Sequence, residues 1–219
     1  MGYNVAIDGP AGAGKSTIAK RVSKEMGFIY VDTGAMYRAL AVHFIQCGLK
    51  PEDTEAIKEA CKTAIVEIQY EDGAQQVYLN GENVTGKLRT EEVSHMASVS
   101  SAIPEIRAHL LELQRDMARK NDVLMDGRDI GTHILPNADV KVYLTASVET
   151  RAMRRYLEYQ EKGVECDLEE IKSDIAERDY RDMNRSTAPL KQAEDAVLLD
   201  SSDMTIDEVV ETIKNLCKK

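Results

Sequence analysis

A chain of 219 residues and 24.4 kDa, 43% of it hydrophobic, can bury a sizeable core without disulfides or a structural metal. Its 28 Lys+Arg against 38 Asp+Glu give a formal net charge of −10, which repels phosphate backbones and anionic lipid at long range and disfavours a nucleic-acid polymer or a membrane surface as partner. Cys47, Cys61, Cys166 and Cys217 form neither a CxxC pair nor a Cys/His group, so zinc and redox motifs are unsupported and reduced thiols in a cytoplasmic protein are expected.

The N-terminal text MGYNVAID has no basic and apolar leader, and Ala6 stands where a myristoylation signal on Met1-Gly2 requires Ser or Thr. Val5-Ala6-Ile7 reads as a short buried strand, broken by Asp8, Gly9 and Pro10. A helical pattern then runs from Lys15 to Met26, with Gly27 closing it. Further strands are expected at 28–31, 123–125, 140–144 and 196–199, each apolar enough for burial on both faces. Helical segments separate them, and this repeated order argues for an α/β chain with a parallel sheet covered by helices.

Residues 65–84 break that rhythm. Val66, Ile68 and Tyr70 alternate with Glu67 and Gln69, Glu71-Asp72-Gly73 turns the chain, and Val77 and Leu79 precede Asn80-Gly81. Asn-Gly between short strands is a type I′ hairpin signal, so a small antiparallel meander is expected here. A helical block follows from 147 to 162, breaks at Gly163 and resumes from Asp167 to about Arg185. The last helix, from Ile206 to Leu216, is entered through Asp203 or Thr205 and ends near Lys218-Lys219, which suits its dipole.

Gly9-Pro10-Ala11-Gly12-Ala13-Gly14-Lys15-Ser16 fits G-x-x-x-x-G-K-[ST] between a strand and a helix. In such a loop successive backbone N–H groups surround phosphates, the lysine adds charge at the β/γ position, and the serine offers a hydroxyl to Mg²⁺. The helix beginning at Lys15 points its positive end at the same anion. Asp126 follows the apolar run 123–125 at the carboxyl edge of the sheet, where ligands of such folds gather. A carboxylate there suits Mg²⁺, directly or through water, and equally suits a helix or turn cap.

The loop alone permits a switch GTPase, a mechanical ATPase or a small-molecule kinase. No Asn-Lys-x-Asp segment reads guanine, and 219 residues leave little room for the added domains of a motor. Seven of thirteen arginines fall between 128 and 185: Arg128, Arg151, Arg154, Arg155, Arg178, Arg181 and Arg185. A nucleoside triphosphate and a phosphorylated acceptor together bring roughly six negative charges, more than one lysine and one Mg²⁺ neutralise. Arg178, Asp182 and Arg185 fall on one helical face, as do Arg151, Arg154 and Arg155, on either side of the Gly163 break. That pattern points to a closing lid, although pairing with neighbouring Glu and Asp is the competing explanation. A phosphate acceptor is already ionised and needs no strong base, so His43, His95, His109 and His133 are expected to pack or face solvent.

Beyond the loop, the text resembles the bacterial cytidylate kinases almost end to end. The matching segments are AIDGPAGAGKST from Ala6, DTGAMYRAL from Asp32, Leu88-Arg89-Thr90-Glu91-Glu92-Val93, DGRDIGT from Asp126 and ERDYRDMNRSTAPL from Glu177. The resemblance implies a three-layer P-loop kinase fold over residues 1–219, with a central parallel five-stranded sheet. Within that single domain it implies a monophosphate-binding region at 33–122 that contains the β insertion, and a helical lid at 147–186. It implies transfer of the γ-phosphoryl of ATP to CMP or dCMP, dependent on Mg²⁺, by a cytoplasmic monomer. Another P-loop kinase acting on UMP or AMP, or a nucleotide-dependent switch protein, is the alternative.

Carried over by position, the resemblance has Gly9, Pro10, Ala11, Gly12, Ala13, Gly14, Lys15, Ser16 and Thr17 surround the ATP phosphates, with Arg154 on the same nucleotide. Thr33, Arg38, Ser98, Arg107, Arg128 and Asp129 contact the acceptor, Asp129 and Ser98 reading the cytosine. Arg178 and Arg185 hold the acceptor phosphate, and Asp182 meets the sugar hydroxyls. Lys15, Arg128, Arg151, Arg155, Arg178 and Arg185 form the catalytic set, and Ser16, with Asp126 through water, serves the metal. A carboxylate accepts from the cytosine amino group and repels the uracil carbonyl, which agrees with that role for Asp129. Thr33 is the one departure identified, since it adds a methyl where relatives carry serine.

Overall fold

The computed structural model describes residues 2–218, so Met1 of the Met1-Gly2 pair and Lys219 of the C-terminal lysine pair lie outside the described residues. Two compact units emerge: Gly2–Tyr30 with the chain from Asn121 onward, and Val31–Lys120 inserted between them in sequence. The first unit begins with β1 (Asn4–Asp8), α1 (Lys15–Met26) and β2 (Ile29–Asp32), the last running on into the second unit. Val5, Ala6 and Ile7 are fully buried, as an apolar run in mid-sheet must be.

The inserted unit holds α2 (Thr33–Gln46), α3 (Thr54–Cys61), an antiparallel sheet of β3 (Val66–Glu71), β4 (Ala74–Leu79) and β5 (Glu82–Asn83), then α4 (Glu91–Ser100) and α5 (Pro104–Lys120). The alternation read from sequence is realised in register, with Val66 opposite Leu79 and Ile68 opposite Val77. Asn80 and Gly81 turn β4 into β5 with φ of 50° and 84°, the two left-handed residues that a type I′ turn requires.

Returning to the first unit, the chain forms β6 (Val123–Gly127), a π-helical turn at Ile130–Ile134, β7 (Val140–Thr145), α6 (Val148–Glu161), α7 (Leu168–Asn184), β8 (Val197–Asp200) and α8 (Ile206–Cys217). The five-stranded sheet has the order β2-β6-β1-β7-β8, and β1 pairs in parallel with both β6 and β7. One face packs on α1 and α8, where Val5, Ile7, Leu124, Val142 and Leu144 meet Ile18, Val22, Val209, Val210 and Ile213. Each of these buried aliphatics contributes about 1.5–3 kcal/mol. The lid helices α6 and α7 pack through Ala152, Ile171 and Ile175. Of the two N-cap candidates for α8 it is Thr205 that serves, in a capping box with Glu208.

One expectation is corrected. The strand near 196–199 is not buried on both faces, because β8 is an edge strand paired only with β7; Val197 is 42% and Leu198 56% exposed, and only Leu199 is buried. Among the described residues no helix is long and apolar enough to cross a membrane. All four cysteines are free, and burial pushes the Cys61 and Cys217 thiols up to about 11, away from thiolate chemistry.

Candidate active site

The glycine-rich loop leaves the central strand β1 and enters α1 through Gly14, whose φ is 83°. Its first residue must be glycine for a steric reason: with φ at 149°, a Cβ on Gly9 would lie 1.9 Å from the Leu144 carbonyl oxygen of β7. Lys15 is buried, and its Nζ donates to the Pro10 carbonyl at 2.7 Å. Burial, and then the Arg128 guanidinium, hold its ammonium well below the usual lysine range, with Arg178 adding to the repulsion and the Asp126 and Asp8 carboxylates opposing it.

Asp126, next to last in β6, lies beside this loop, accepting from the Ser16 hydroxyl at 2.9 Å and from the Tyr30 hydroxyl at 3.0 Å. A hydroxyl and a carboxylate in contact are hard oxygen donors, and with phosphate oxygens and water they fit the octahedral oxygen set of Mg²⁺.

Arg128, Asp129, Asp182 and Arg185, on two distant segments, come together in the same unit. Arg128, just past β6, donates from Nε to Asp182 of α7 at 2.9 Å. Arg185, at the end of α7, lies 3.5 Å from Asp129 and donates from Nε to the Ala188 carbonyl at 2.8 Å, where Ala188 is held at a φ of 45°. Burial alone would push the Asp182 carboxyl up, but Arg128, Arg178 and Arg185 together hold it below the usual carboxylate range. Arg178 stands close enough to act on both Lys15 and Asp182. The arginines of α7 that face inward therefore meet residues from distant segments, while Arg181 is left with Glu177 on the exposed side at 3.7 Å.

On α6 the three lid arginines differ. Arg151 is 4% exposed and bound to the Ala11 carbonyl and to Asp179; Arg154 donates to the Ser201 carbonyl at 2.7 Å in the loop after β8. Arg155 is half-buried, and its guanidinium makes no hydrogen bond or ion pair among the described residues.

In the inserted unit, Thr33 is buried at the start of α2, and Arg38 pairs with Asp32 at 3.0 Å. Asp32 also caps α2 by accepting from the Ala35 N–H. Ser98 lies half-buried on α4. Arg107, buried on α5, donates to the Ser101 carbonyl and stacks 5.4 Å over the Tyr37 ring. His43 and His109 turn their Nε2 atoms to the Ala60 and Ala64 carbonyls at 3.1 and 2.8 Å.

Sequence reasoning gave no role to Asp8, which the structure places in the site. Its two carboxylate oxygens accept from the Ile130 and Gly131 N–H groups, each at 2.7 Å, and so fix the turn that follows Arg128 and Asp129. Burial pushes its carboxyl up to about 6, against those two N–H donors and with help from Asp129. A carboxyl raised in the folded state binds its proton more readily than in the unfolded chain. Asp8 therefore contributes less to stability as pH rises from about 4 to about 6, a change of about 3 kcal/mol. Asp8→Asn is expected to cost more stability at pH 4.5 than at pH 6.5 in urea unfolding, because only the wild type gains the proton; a penalty that grows toward pH 6.5 contradicts this.

A family model described as cytidylate kinase matches residues 5–219. A cytidylate kinase of Lactobacillus gasseri is 50% identical over 215 residues, spanning 98% of this chain and 94% of the relative. One from Caldicellulosiruptor bescii is 47% identical over 216 residues, spanning 99% and 96%. Among solved structures, an uncharacterized protein from Eubacterium ventriosum superposes with a TM-score of 0.53 at 13% identity over all of both chains, and a shikimate kinase from Bacteroides thetaiotaomicron with 0.50 at 10% identity over 99% of each. These two likenesses concern the fold.

Proposed function

The chain belongs to the cytidylate kinase family and transfers a phosphoryl group from ATP to CMP or dCMP, a step of pyrimidine nucleotide metabolism, and on that premise we propose which residues carry each part of the reaction. The backbone of residues 9–17 and the Lys15 ammonium hold the β- and γ-phosphates of ATP, and Arg154 serves the same nucleotide. The observation that carries this assignment is Lys15 itself, buried in the loop and held below its usual range beside Arg128 and Arg178. An incoming triphosphate relieves that repulsion, so its binding energy is spent where charge moves in the reaction.

Mg²⁺ bound with ATP would spread charge off the transferring phosphoryl group. Ser16 would hold it directly and Asp126 through water, with Tyr30 fixing the Asp126 carboxylate. Arg128, Arg178 and Arg185 bind the acceptor phosphate and aim its oxygen in line with the γ-phosphorus. That oxygen is already ionised, so alignment and charge stabilisation suffice and no histidine is recruited. Arg155, half-buried and unpartnered among the described residues, is the lid cation available to the triphosphate. Arg151, whose nitrogens are already engaged, serves the reaction through its hold on the loop and not by contact with the phosphates.

Thr33, Arg38, Ser98 and Arg107 serve the acceptor nucleoside, Asp182 its sugar hydroxyls and Asp129 the cytosine amino group. Asp182 and Asp129 also pair with Arg128 and Arg185. The same reading takes the protein as a cytoplasmic monomer acting on mononucleotides, in keeping with its free thiols and its net charge of −10.

A coupled assay with ATP and a panel of monophosphates tests these roles. Wild type is expected to prefer CMP and dCMP over UMP. Asp129→Ala is expected to lose about 10- to 100-fold of that preference, the worth of one charge-assisted hydrogen bond, with the KM for ATP unchanged. Equal loss against every acceptor assigns Asp129 to structure instead.

A further inference from the structure

Arg151 engages all three of its nitrogens inside the protein. Nε donates to the Ala146 carbonyl at 2.8 Å, Nη1 to the Ala11 carbonyl at 3.1 Å and Nη2 to Asp179 Oδ2 at 2.7 Å. Its side chain packs directly behind the loop, so that a Cβ on Gly12 would sit 3.5 Å from the Arg151 Cβ. The Ala11 carbonyl and the Gly12 N–H belong to one planar peptide, and no peptide bond in the described chain is cis. In a trans peptide the two groups point in opposite directions. Drawing the Ala11 carbonyl toward α6 therefore turns the Gly12 N–H away from α6 and leaves it to an anion.

Asp179 supplies the other half of the device. It stands on α7 directly after Arg178 and three residues before Asp182, and it is buried. Its second oxygen, Oδ1, is buried without a hydrogen-bond partner among the described residues. A buried carboxylate oxygen left unsatisfied is costly, which marks Asp179 as present for its charge against Arg151.

We infer that Arg151 and Asp179 are positioning residues that join the donor loop to the helix bearing the acceptor-phosphate arginines, and that Arg151 acts on ATP through the Ala11 peptide rather than as a phosphate ligand. This rests on the reading that residues 9–17 hold the ATP phosphates. Two arrangements must coincide for in-line transfer, the N–H groups of the loop and the arginines of α7, and one buried ion pair sets both.

The test compares Arg151→Lys, Asp179→Asn and the double variant in the full chain, measuring ATP dissociation by calorimetry without acceptor, the steady-state constants, and the thermal midpoint without nucleotide. Asp179→Asn is nearly isosteric and removes the charge alone. Each single variant is expected to weaken ATP binding about tenfold, and the double variant no more than the worse single, since both break one coupling. The kcat at saturating substrates is expected to fall by about tenfold in both single variants, as the loop and the α7 arginines lose their common alignment. ATP affinity unchanged in both singles while the thermal midpoint falls makes the pair merely structural and overturns the inference. A loss in kcat of about a hundredfold in Arg151→Lys, with Asp179→Asn silent, makes Arg151 a direct ligand and overturns it as well. Lys15→Met separates the premise from the inference: if that variant keeps its ATP affinity, the assignment of the loop has failed, whatever the pair does.

Discussion

Lys15→Met is expected to lower kcat/KM for ATP by about a thousandfold while leaving the protein as stable as the wild type, or more so, in the absence of nucleotide. The two halves of that result have one cause. The Lys15 ammonium makes a single hydrogen bond among the described residues, to the Pro10 carbonyl, and stands buried beside Arg128 and Arg178. Methionine keeps the volume and removes a charge that the resting protein accommodates at a cost. With ATP present the order reverses, because a ligand stabilises the fold according to its concentration relative to its dissociation constant, and the variant no longer binds. Thermal melts with and without saturating ATP check this directly. A variant that melts lower than wild type without nucleotide would show that Lys15 is a structural cation, and an undiminished ATP-dependent shift would remove it from the site.

Arg185→Ala is expected to lower kcat/KM for CMP by about 10²- to 10³-fold, with ATP binding measured alone unchanged. Arg185 is only 7% exposed and Asp129 only 5%, so truncation takes a neighbouring cation away from a buried carboxylate. Breaking a buried pair from one side costs about 3–5 kcal/mol, and urea unfolding is expected to show a loss approaching that. Arg185→Lys is not expected to rescue turnover. The guanidinium puts two N–H groups on the Ala188 carbonyl and still reaches Asp129, a fork that a single ammonium does not reproduce. Unchanged steady-state constants in the alanine variant would take Arg185 out of the acceptor site.

The strand, loop and helix at residues 4–26 were legible because every determinant is local: an apolar run, glycines at the turn, a lysine at the helix start. The hairpin at Asn80-Gly81 was legible for the same reason. β8 was misjudged because central and edge strands have the same composition over four residues, and only the order of the sheet separates them. Asp8 went unread because its partners lie 122 and 123 residues away. Asp179 was hidden in another way. In Glu177-Arg178-Asp179-Tyr180-Arg181-Asp182 the charges look like a solvated surface, yet α7 turns Asp179 and Asp182 inward and leaves Tyr180 69% exposed. A helix that turns carboxylates inward onto arginines departs from the usual rule of apolar inside and polar outside.

The sheet order also bears on how the molecule comes into being. β1 is made well before its partners β6 and β7, with the whole of Val31–Lys120 synthesised in between. On a ribosome adding roughly 5–20 residues per second, the glycine-rich loop and its apolar strand wait on the order of ten seconds before either neighbour emerges. Pairings this distant along the chain form slowly even in the finished polypeptide. β1, whose Val5, Ala6 and Ile7 are fully buried in the finished sheet, is thus exposed throughout that interval, and the inserted unit has time to fold first.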